Sequence, residues 1–356
     1  MTSQVAIAKV EPTSAEEWER VARSCDYATF FHTPDWIEIW HRFKGAQVVA
    51  APRTIIFQDE KRAVLPVATN RRGKGLLTTL TSTMEGTFGG WISEDELGLP
   101  HALAVAAYLL HDTGGNVSWR LNPYAPFAGE IREYVKAQSG LLEMTGTNRD
   151  KVITCMQNWR RPLLDDDSTL AIDLRPGFAA LFGSQSSTVR KAKKARKAGV
   201  EVRLAETEAE WREYYEVYLS SVERWGEATS YPWQLFAEIF GMHSSKIKLW
   251  LARLDSKVVS GPLCFSSRNH VVYWHGSSLK QYFELRPVNL LMLEIIRHAA
   301  EQGCAWYDFN PSGQLKGVKA FKESFGAKPL PCPLIYVDTQ IKRAARTTLL
   351  GVRGFL

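Results

Sequence analysis

The chain has 356 residues, of which 45% are hydrophobic and 23% are charged, and its formal net charge is +6. That length is comfortable for two globular domains, and five scattered cysteines without a C-x-x-C pair argue against a disulfide framework or a structural zinc site. No secretory signal is visible at the N-terminus. The longest apolar run, 102–110, is far shorter than the ~20 residues of a membrane-spanning helix. We therefore expect a cytoplasmic protein.

The first half of the chain predicts two helices and three strands, followed by a helix-strand-helix-strand succession. A capping box at Ser14–Glu17 opens the first helix, and Thr33 with Pro34 forms the start of the second. Turn residues and apolar periodicity bound the other elements. Their predicted ranges are strands 48–57, 63–69 and 76–80, helix 100–111, strand 117–121, helix 127–138 and a strand near Val152.

The second half repeats this order after an acidic junction at Asp165–Asp167 and a strand at 170–174. A strongly basic helix runs over 187–198, and a capping box at Thr207–Glu210 opens the next helix. The remaining predicted ranges are strand 200–204, a helix from Pro232, strands 247–254, 258–266 and 271–276, helix 287–302, strand 306–309, helix 315–324 and strand 330–337.

The repeated order indicates an internal duplication. We therefore predict an α/β (α+β) fold with two tandem domains at 1–165 and 166–340, followed by a basic tail at 341–356. Each domain is expected to hold a mixed, largely antiparallel sheet flanked by helices. Antiparallel early strands followed by a β-α-β crossover resemble the fold of GNAT acyltransferases.

Three stretches of the second half carry a more specific resemblance. They are the basic helix and following strand at 187–200, the segment 285–303, and the segment 306–327, in which Asp308 ends a strand and Phe321-Lys-x-x-Phe-Gly follows. These stretches resemble the FemAB-like family of GNAT acyltransferases. Weaker similarities at 31–36 and 88–91 extend the resemblance over roughly residues 28 to 335.

The resemblance implies transfer of an acyl or aminoacyl group onto an amine of a cell-envelope or polysaccharide precursor. In the peptidoglycan branch of the family the donor is aminoacyl-tRNA, whereas other branches are acetyltransferases or are linked to polysaccharide export. We expect no tightly bound cofactor and no metal site, and either aminoacyl-tRNA or acyl-CoA as co-substrate.

Three residues are candidates for catalysis, each with a structural alternative. The lysine that matches Lys322 lies at the acyl-transfer centre in the family, where an ammonium stabilises an oxyanion; the alternative is a surface lysine. Asp308 is placed to take a proton from the amine, or else to cap the next helix or hold it by a salt bridge. His275 is a candidate base in a strand-to-loop segment, or else a packed core histidine.

Four residues are candidates for binding substrate. Arg224 resembles a family arginine that contacts an anionic group, although an arginine at the end of a helix also complements the helix dipole. Arg286 precedes a helix N-terminus, and Tyr273 and Phe321 are aromatic neighbours of the catalytic candidates. The loop at 280–287 contains no glycine, which departs from the usual coenzyme A site and favours another carrier without excluding coenzyme A.

The basic helix is the strongest electrostatic feature. Arg190, Lys193, Lys194 and Lys197 share one face, Lys191 and Arg196 flank it, and these six charges equal the net charge of the chain. We predict that the face binds phosphates of tRNA or of a nucleotide-linked precursor, since six cations without an interleaved acid destabilise a helix. The alternative is a solvated helix.

Three further interpretations stay open. The basic tail, with Lys342, Arg343 and Arg346, is a candidate for peripheral contact with the inner membrane face, or else a docked or frayed terminus. The nearest rival function is an acyl-CoA-dependent N-acetyltransferase. A rival of another class is a non-catalytic module that binds a precursor or RNA.

Overall fold

The computed structural model describes residues 5–72, 77–82, 84–141, 161–183, 186–225, 230–311, 316–339 and 342. The chain divides into a first unit, residues 1–168 with 330–356, and a second unit, residues 169–329. No helix in these described ranges is both long enough and apolar enough to cross a membrane.

The strands and helices are numbered in chain order. The strands are β1 (Ile7–Pro12), β2 (Val48–Ala50), β3 (Arg53–Phe57), β4 (Arg62–Leu65), β5 (Ala68–Arg72), β6 (Leu77–Thr81), β7 (Asn116–Arg120), β8 (Gly140–Leu141), β9 (Leu163–Asp165), β10 (Ser168–Asp173), β11 (Glu201–Leu204), β12 (Ile247–Leu254), β13 (Lys257–Ser266), β14 (His270–Ser278), β15 (Trp306–Asp308), β16 (Lys328–Pro331) and β17 (Leu334–Val337). The α-helices are α1 (Ala15–Ser24), α2 (Pro34–Lys44), α3 (Leu99–Ala107), α4 (Ala128–Gln138), α5 (Phe178–Leu181), α6 (Ser187–Lys197), α7 (Glu208–Trp225), α8 (Trp233–Phe240), α9 (Pro287–Glu301) and α10 (Lys316–Glu323).

Each unit is built on a mixed seven-stranded sheet. The order is β2-β5-β6-β7-β17-β9-β8 in the first unit, which also holds a small sheet β1-β3-β4, and β11-β12-β13-β14-β15-β10-β16 in the second. The parallel pairs β6–β7 and β14–β15 enclose the crossover helices α3 and α9. The predicted tandem arrangement of mixed, largely antiparallel sheets with a β-α-β crossover is therefore confirmed.

The end of the chain differs from the predicted domain boundary at 340. The predicted strand 330–337 is two strands, and the second of them, β17, lies between β7 and β9 of the first unit and is antiparallel to both. Pro331 and Pro333 explain the interruption, because a proline has no N–H to continue a strand ladder. The second unit ends instead at residue 329. The strand predicted near Val152 lies outside the described residues.

The core of the second unit lies between its sheet and helices α6 and α9. Helix α9 buries Leu291, Ile295 and Ile296, and α6 contributes the small buried side chains of Ala192 and Ala195. Small residues on one stripe let α6 pack closely on α9, which leaves its long cationic side chains on the remaining surface. Ser186 caps α6 by accepting a hydrogen bond from the Val189 N–H.

The sheet of the second unit opens between two of its strands. The last register pair of β14 with β15 is Val272 with Asp308, and β14 then continues to Ser278 while β15 ends. On its other side β14 shifts register with β13 at Leu263 and Cys264. The divergence of β14 from β15 leaves room for a cleft at the start of α9.

Candidate active site

A cleft of about 430 Å³ lies beside the free part of β14 in the second unit. Small residues of two strands form its floor, which brings the backbone close to any ligand. Its walls come from the start of α9, the 3-10 turn Lys280–Leu285 and helix α10. The floor residues are Ser260, Gly261, Pro262, Gly276, Ser277 and Ser278.

The four predicted binding residues outside the basic helix meet in this cleft. Arg224 comes from the end of α7, Tyr273 from β14, Arg286 from the residue before α9, and Phe321 from α10. Because these positions are spread over almost a hundred residues, only the fold brings them together. Lys191 of the basic helix also lines the cleft.

The electrostatics of the cleft favour an anion. Lys191, Arg224 and Arg286 line it, and none of the described lining residues is acidic. The N-terminus of α9 adds the positive end of its dipole, with Pro287 at its first position. Glu284 lies 3.9 Å from Arg286 and is largely exposed, so that ion pair is weak.

Arg224 is held by contacts that leave part of its guanidinium for a ligand. Nη1 donates to the Ser278 carbonyl oxygen at 3.1 Å, and Nη2 donates to Ser221 Oγ at 3.2 Å. A guanidinium carries five N–H donors. The predicted role in binding an anionic group therefore fits the position of Arg224.

Tyr273 lies across the floor of the cleft against Gly276. A Cβ atom at position 276 would come within 2.0 Å of the Tyr273 hydroxyl oxygen, so only glycine permits this ring position. Burial raises the pKa of the Tyr273 hydroxyl above its usual range, which keeps it protonated and able to donate a hydrogen bond at neutral pH. No motif or spacing in the sequence singled out Gly276.

Lys322 and Asp308 are buried and do not line the cleft. Lys322 is 4% exposed, and its Nζ donates to the carbonyl oxygens of Asn310 at 2.7 Å and Pro311 at 3.4 Å. Asp308 accepts hydrogen bonds from Thr169 Oγ1 at 2.5 Å and from the Asn310 N–H at 2.6 Å. Both side chains thus position the segment that follows β15, and the surface-lysine alternative for Lys322 is wrong.

His275 lies in an aromatic cluster outside the residues that line the cleft. Its Nδ1 is 2.9 Å from the Tyr214 hydroxyl, and the rings of Tyr218 and Phe236 lie 4.6 and 5.7 Å from the imidazole. Burial lowers the pKa of His275 to about 4, so the ring is neutral at pH 7. These contacts match the packed alternative rather than a base in the cleft.

The basic helix divides its cations between the cleft and the surface. Arg190, Lys193, Lys194 and Lys197 are exposed, as expected for a face that meets phosphates or solvent. Lys191, predicted only to flank this face, is the residue that reaches the cleft. Helical geometry explains this, because Lys191 adjoins the buried stripe at Ala192 and Ala195.

The basic tail lies outside the described residues except for Lys342. Its Nζ donates to Thr79 Oγ1 at 2.9 Å and is 3.3 Å from an Asp338 carboxylate oxygen. This part of the tail is docked on the first unit.

Residues 184–323 match the family model of an acetyltransferase (GNAT) domain. This part of the chain is a GNAT acetyltransferase domain. The matched region runs from α6 to α10 and contains every described residue that lines the cleft. The GNAT domain and the acyltransferase class that the sequence predicts for the second half are confirmed. No curated protein matches the sequence at a significant level.

Three solved structures share the fold over most of this chain. FemX has 14% identity and a TM-score of 0.68, covering 95% of this chain and 100% of that chain. A conserved protein of unknown function from Bacteroides thetaiotaomicron VPI-5482 has 10% identity and a TM-score of 0.53, covering 94% and 100%. The C-terminal domain of a candidate lysylphosphatidylglycerol synthetase from Agrobacterium fabrum has 11% identity and a TM-score of 0.50, covering 83% and 86%. At these identities the likeness is one of fold.

Proposed function

We propose that this acyltransferase moves an acyl or aminoacyl group from an anionic carrier onto an amine of a cell-envelope or polysaccharide precursor. The observation that supports this most directly is the convergence of Lys191, Arg224, Arg286 and the N-terminus of α9 on one cleft beside Tyr273. The fold shared with FemX and with the candidate lysylphosphatidylglycerol synthetase supports the cell-envelope connection.

The proposed reaction is aminolysis of an activated carbonyl. The amine nitrogen attacks the carbonyl carbon, the C–O bond to the carrier breaks, and the nitrogen loses a proton as the carrier oxygen gains one. The Tyr273 hydroxyl is the donor proposed to stabilise the developing oxyanion or to protonate the leaving oxygen. Arg224 and Arg286 hold the anionic carrier, so that much of the rate enhancement comes from positioning.

Asp308 and Lys322 take part in this proposal as positioning residues. They fix the backbone of Asn310 directly after β15, and Lys322 adjoins Phe321, which lines the cleft. A direct role of either side chain at the carbonyl remains a prediction. His275 is proposed to hold β14 against α7 rather than to act as a base.

Aminoacyl-tRNA is the donor that we propose first. The turn at 280–285 lacks the glycines that usually expose backbone N–H groups to a pyrophosphate, whereas the exposed cations of α6 suit a polyphosphate backbone. Peptidoglycan precursors are the corresponding acceptors that we propose. The aminoacyl-tRNA donor and such a precursor would meet in the cytoplasm. The second candidate is an acyl-CoA donor, which GNAT domains generally use and which the N-terminus of α9 with Arg286 favours.

Titration of the purified protein with acetyl-CoA by calorimetry, alongside a gel shift with a charged tRNA pool at low and moderate salt, tests the donor. We expect a salt-sensitive tRNA shift that weakens in Arg224→Ala and in Arg286→Ala. Arg212→Ala is the matched control, because Arg212 is exposed on the same helix as Arg224 and lines no part of the cleft. Tight acetyl-CoA binding without a tRNA shift would establish the second donor, and binding of neither would contradict the proposal.

A further inference from the structure

The mouth of the cleft is apolar. Four large hydrophobic side chains are exposed in the described part of the chain, and three of them line this one cleft: Trp225 is 47% exposed, and Phe283 and Val318 are each 39% exposed. The fourth, Val49, is 37% exposed and lies in the first unit. Single exposed hydrophobic residues are ordinary, but a cluster at a binding cleft marks a surface that a ligand covers.

The two aromatic rings of this mouth are held beside a charge. The guanidinium carbon of Arg224 lies 5.2 Å from the centre of the Phe283 ring and 5.7 Å from that of Trp225. Arg224 is itself fixed by Ser278 and Ser221. The rings therefore flank the guanidinium, and an apolar surface directly adjoins the cationic one.

From this juxtaposition we infer that the ligand of the cleft is an anionic amphiphile, whose phosphate or carboxylate meets Arg224 and Arg286 and whose alkyl chain lies on Trp225, Phe283 and Val318. The inference rests on the proposed function, since it takes the cleft to be the transferase site. It adds that one of the two substrates, the donor or the acceptor, contains an aliphatic chain. Such a chain belongs either to a fatty acyl donor or to a lipid-linked acceptor.

An aliphatic chain fits this mouth better than a nucleobase does. A stacked base needs a flat aromatic face, and sandwiching requires a second ring on the opposite side. Here Arg224 already lies close to both rings, and the cleft is also lined by the methyl groups of Val318. Methylene groups gain affinity from any apolar surface without a preferred plane.

Calorimetry on the full chain with methyl, butyl and hexyl phosphate tests the inference. The dissociation constant should fall about two- to fourfold per methylene, the upper value corresponding to full burial. In Trp225→Ser/Phe283→Ser this dependence on chain length should disappear, so that methyl and hexyl phosphate bind with similar affinity. Val49→Ser, which removes an equally exposed side chain elsewhere, should keep the dependence.

The possible outcomes separate the inference from the proposed function. Equal affinity for methyl and hexyl phosphate, a chain-length dependence that survives in the double variant, or tighter binding of uridine 5′-monophosphate than of hexyl phosphate would overturn the amphiphile and leave the anionic cleft intact. Failure of every phosphate to bind would contradict the cleft itself. With the inference upheld, a preference for hexanoyl-CoA over acetyl-CoA that the double variant loses would assign the chain to the donor, and its absence would assign the chain to a lipid-linked acceptor.

Discussion

Asp308 and Lys322 hold the two backbone polar groups of one residue. The Asp308 carboxylate accepts the N–H of Asn310 at 2.6 Å, and the Lys322 ammonium donates to its carbonyl oxygen at 2.7 Å. Asn310 has a φ of 61°, a left-handed conformation that side-chain-bearing residues seldom adopt without support. Two of the three predicted catalytic residues therefore fix the backbone of Asn310, directly after β15.

Replacing the buried lysine tests this arrangement. Lys322→Met should lower the free energy of unfolding by about 1 to 3 kcal/mol, because two buried carbonyl groups lose their charged donor. Transfer activity should fall with it, since the wall at Phe321 loses its support. Chemical denaturation and a transfer assay on the same preparation measure both effects.

The neighbouring lysine of the same helix provides the control. Lys319 is exposed and pairs only weakly with Glu323 at 3.9 Å, so Lys319→Met should change stability by less than about 0.5 kcal/mol. Full stability of Lys322→Met with loss of transfer would instead support a direct catalytic role for Lys322.

The floor of the cleft depends on one glycine. Gly276→Ala places a Cβ where the Tyr273 hydroxyl now lies, so we expect the ring to be displaced and ligand affinity to fall at least about tenfold. The double variant Tyr273→Ala/Gly276→Ala should recover the thermal stability lost in the single variant but not the activity. Gly183→Ala, at an open position of the same unit, should behave like the parent protein. Unchanged binding by Gly276→Ala would show that the ring position is unimportant.

The exposed face of α6 should act through long-range charge. Lys193→Glu/Lys194→Glu should weaken the tRNA shift, and the slope of log affinity against log salt should become shallower by about 1 to 2. Lys191→Met should weaken binding of a small phosphate as well, because Lys191 lines the cleft. Lys257→Glu/Lys328→Glu is the control, because it changes the net charge by the same amount at exposed positions outside α6. If this variant weakens the tRNA shift equally, the exposed face of α6 has no specific role.

Two buried histidines predict acid sensitivity. Burial holds the pKa of both His32 and His275 at about 4, below the ~6.5 of an unfolded chain. The stabilisation that each neutral histidine gives the folded state is therefore complete above pH 6.5. It is lost as the pH falls towards 4, because the unfolded state binds the proton first. Between pH 7 and pH 5 each histidine should lower the free energy of unfolding by about 2 kcal/mol.

His275→Phe isolates one of these contributions. Its free energy of unfolding should change less between pH 7 and 5 than that of the parent, although the Tyr214 hydroxyl loses a partner at every pH. Denaturation curves at pH 7, 6 and 5 measure the difference. Loss of all transfer in a stable His275→Phe protein would revive the histidine as a base.

Local signals predicted much of the fold, and long-range geometry explains what they missed. Thr33 and Pro34 marked the start of α2 correctly, and α6 begins at the predicted residue. Strand β1 was not predicted, because its six residues are half-exposed and lack clear alternation. The burial of Lys322 and the inward position of Lys191 depend on which side of each helix meets the rest of the unit, which the spacing of charges alone does not specify.

The position of β17 has a consequence for synthesis on the ribosome. Residues 334–337 occupy an interior place in the sheet of the first unit, between β7 and β9, although they follow the entire second unit in the chain. The N-terminal part of the nascent chain therefore emerges with a gap in its sheet, whereas the second unit is one continuous segment that becomes complete earlier. The second unit is accordingly the first that can fold during translation. Until β17 has been synthesised, the edges of β7 and β9 that it will pair with are open to chaperones and to misfolding.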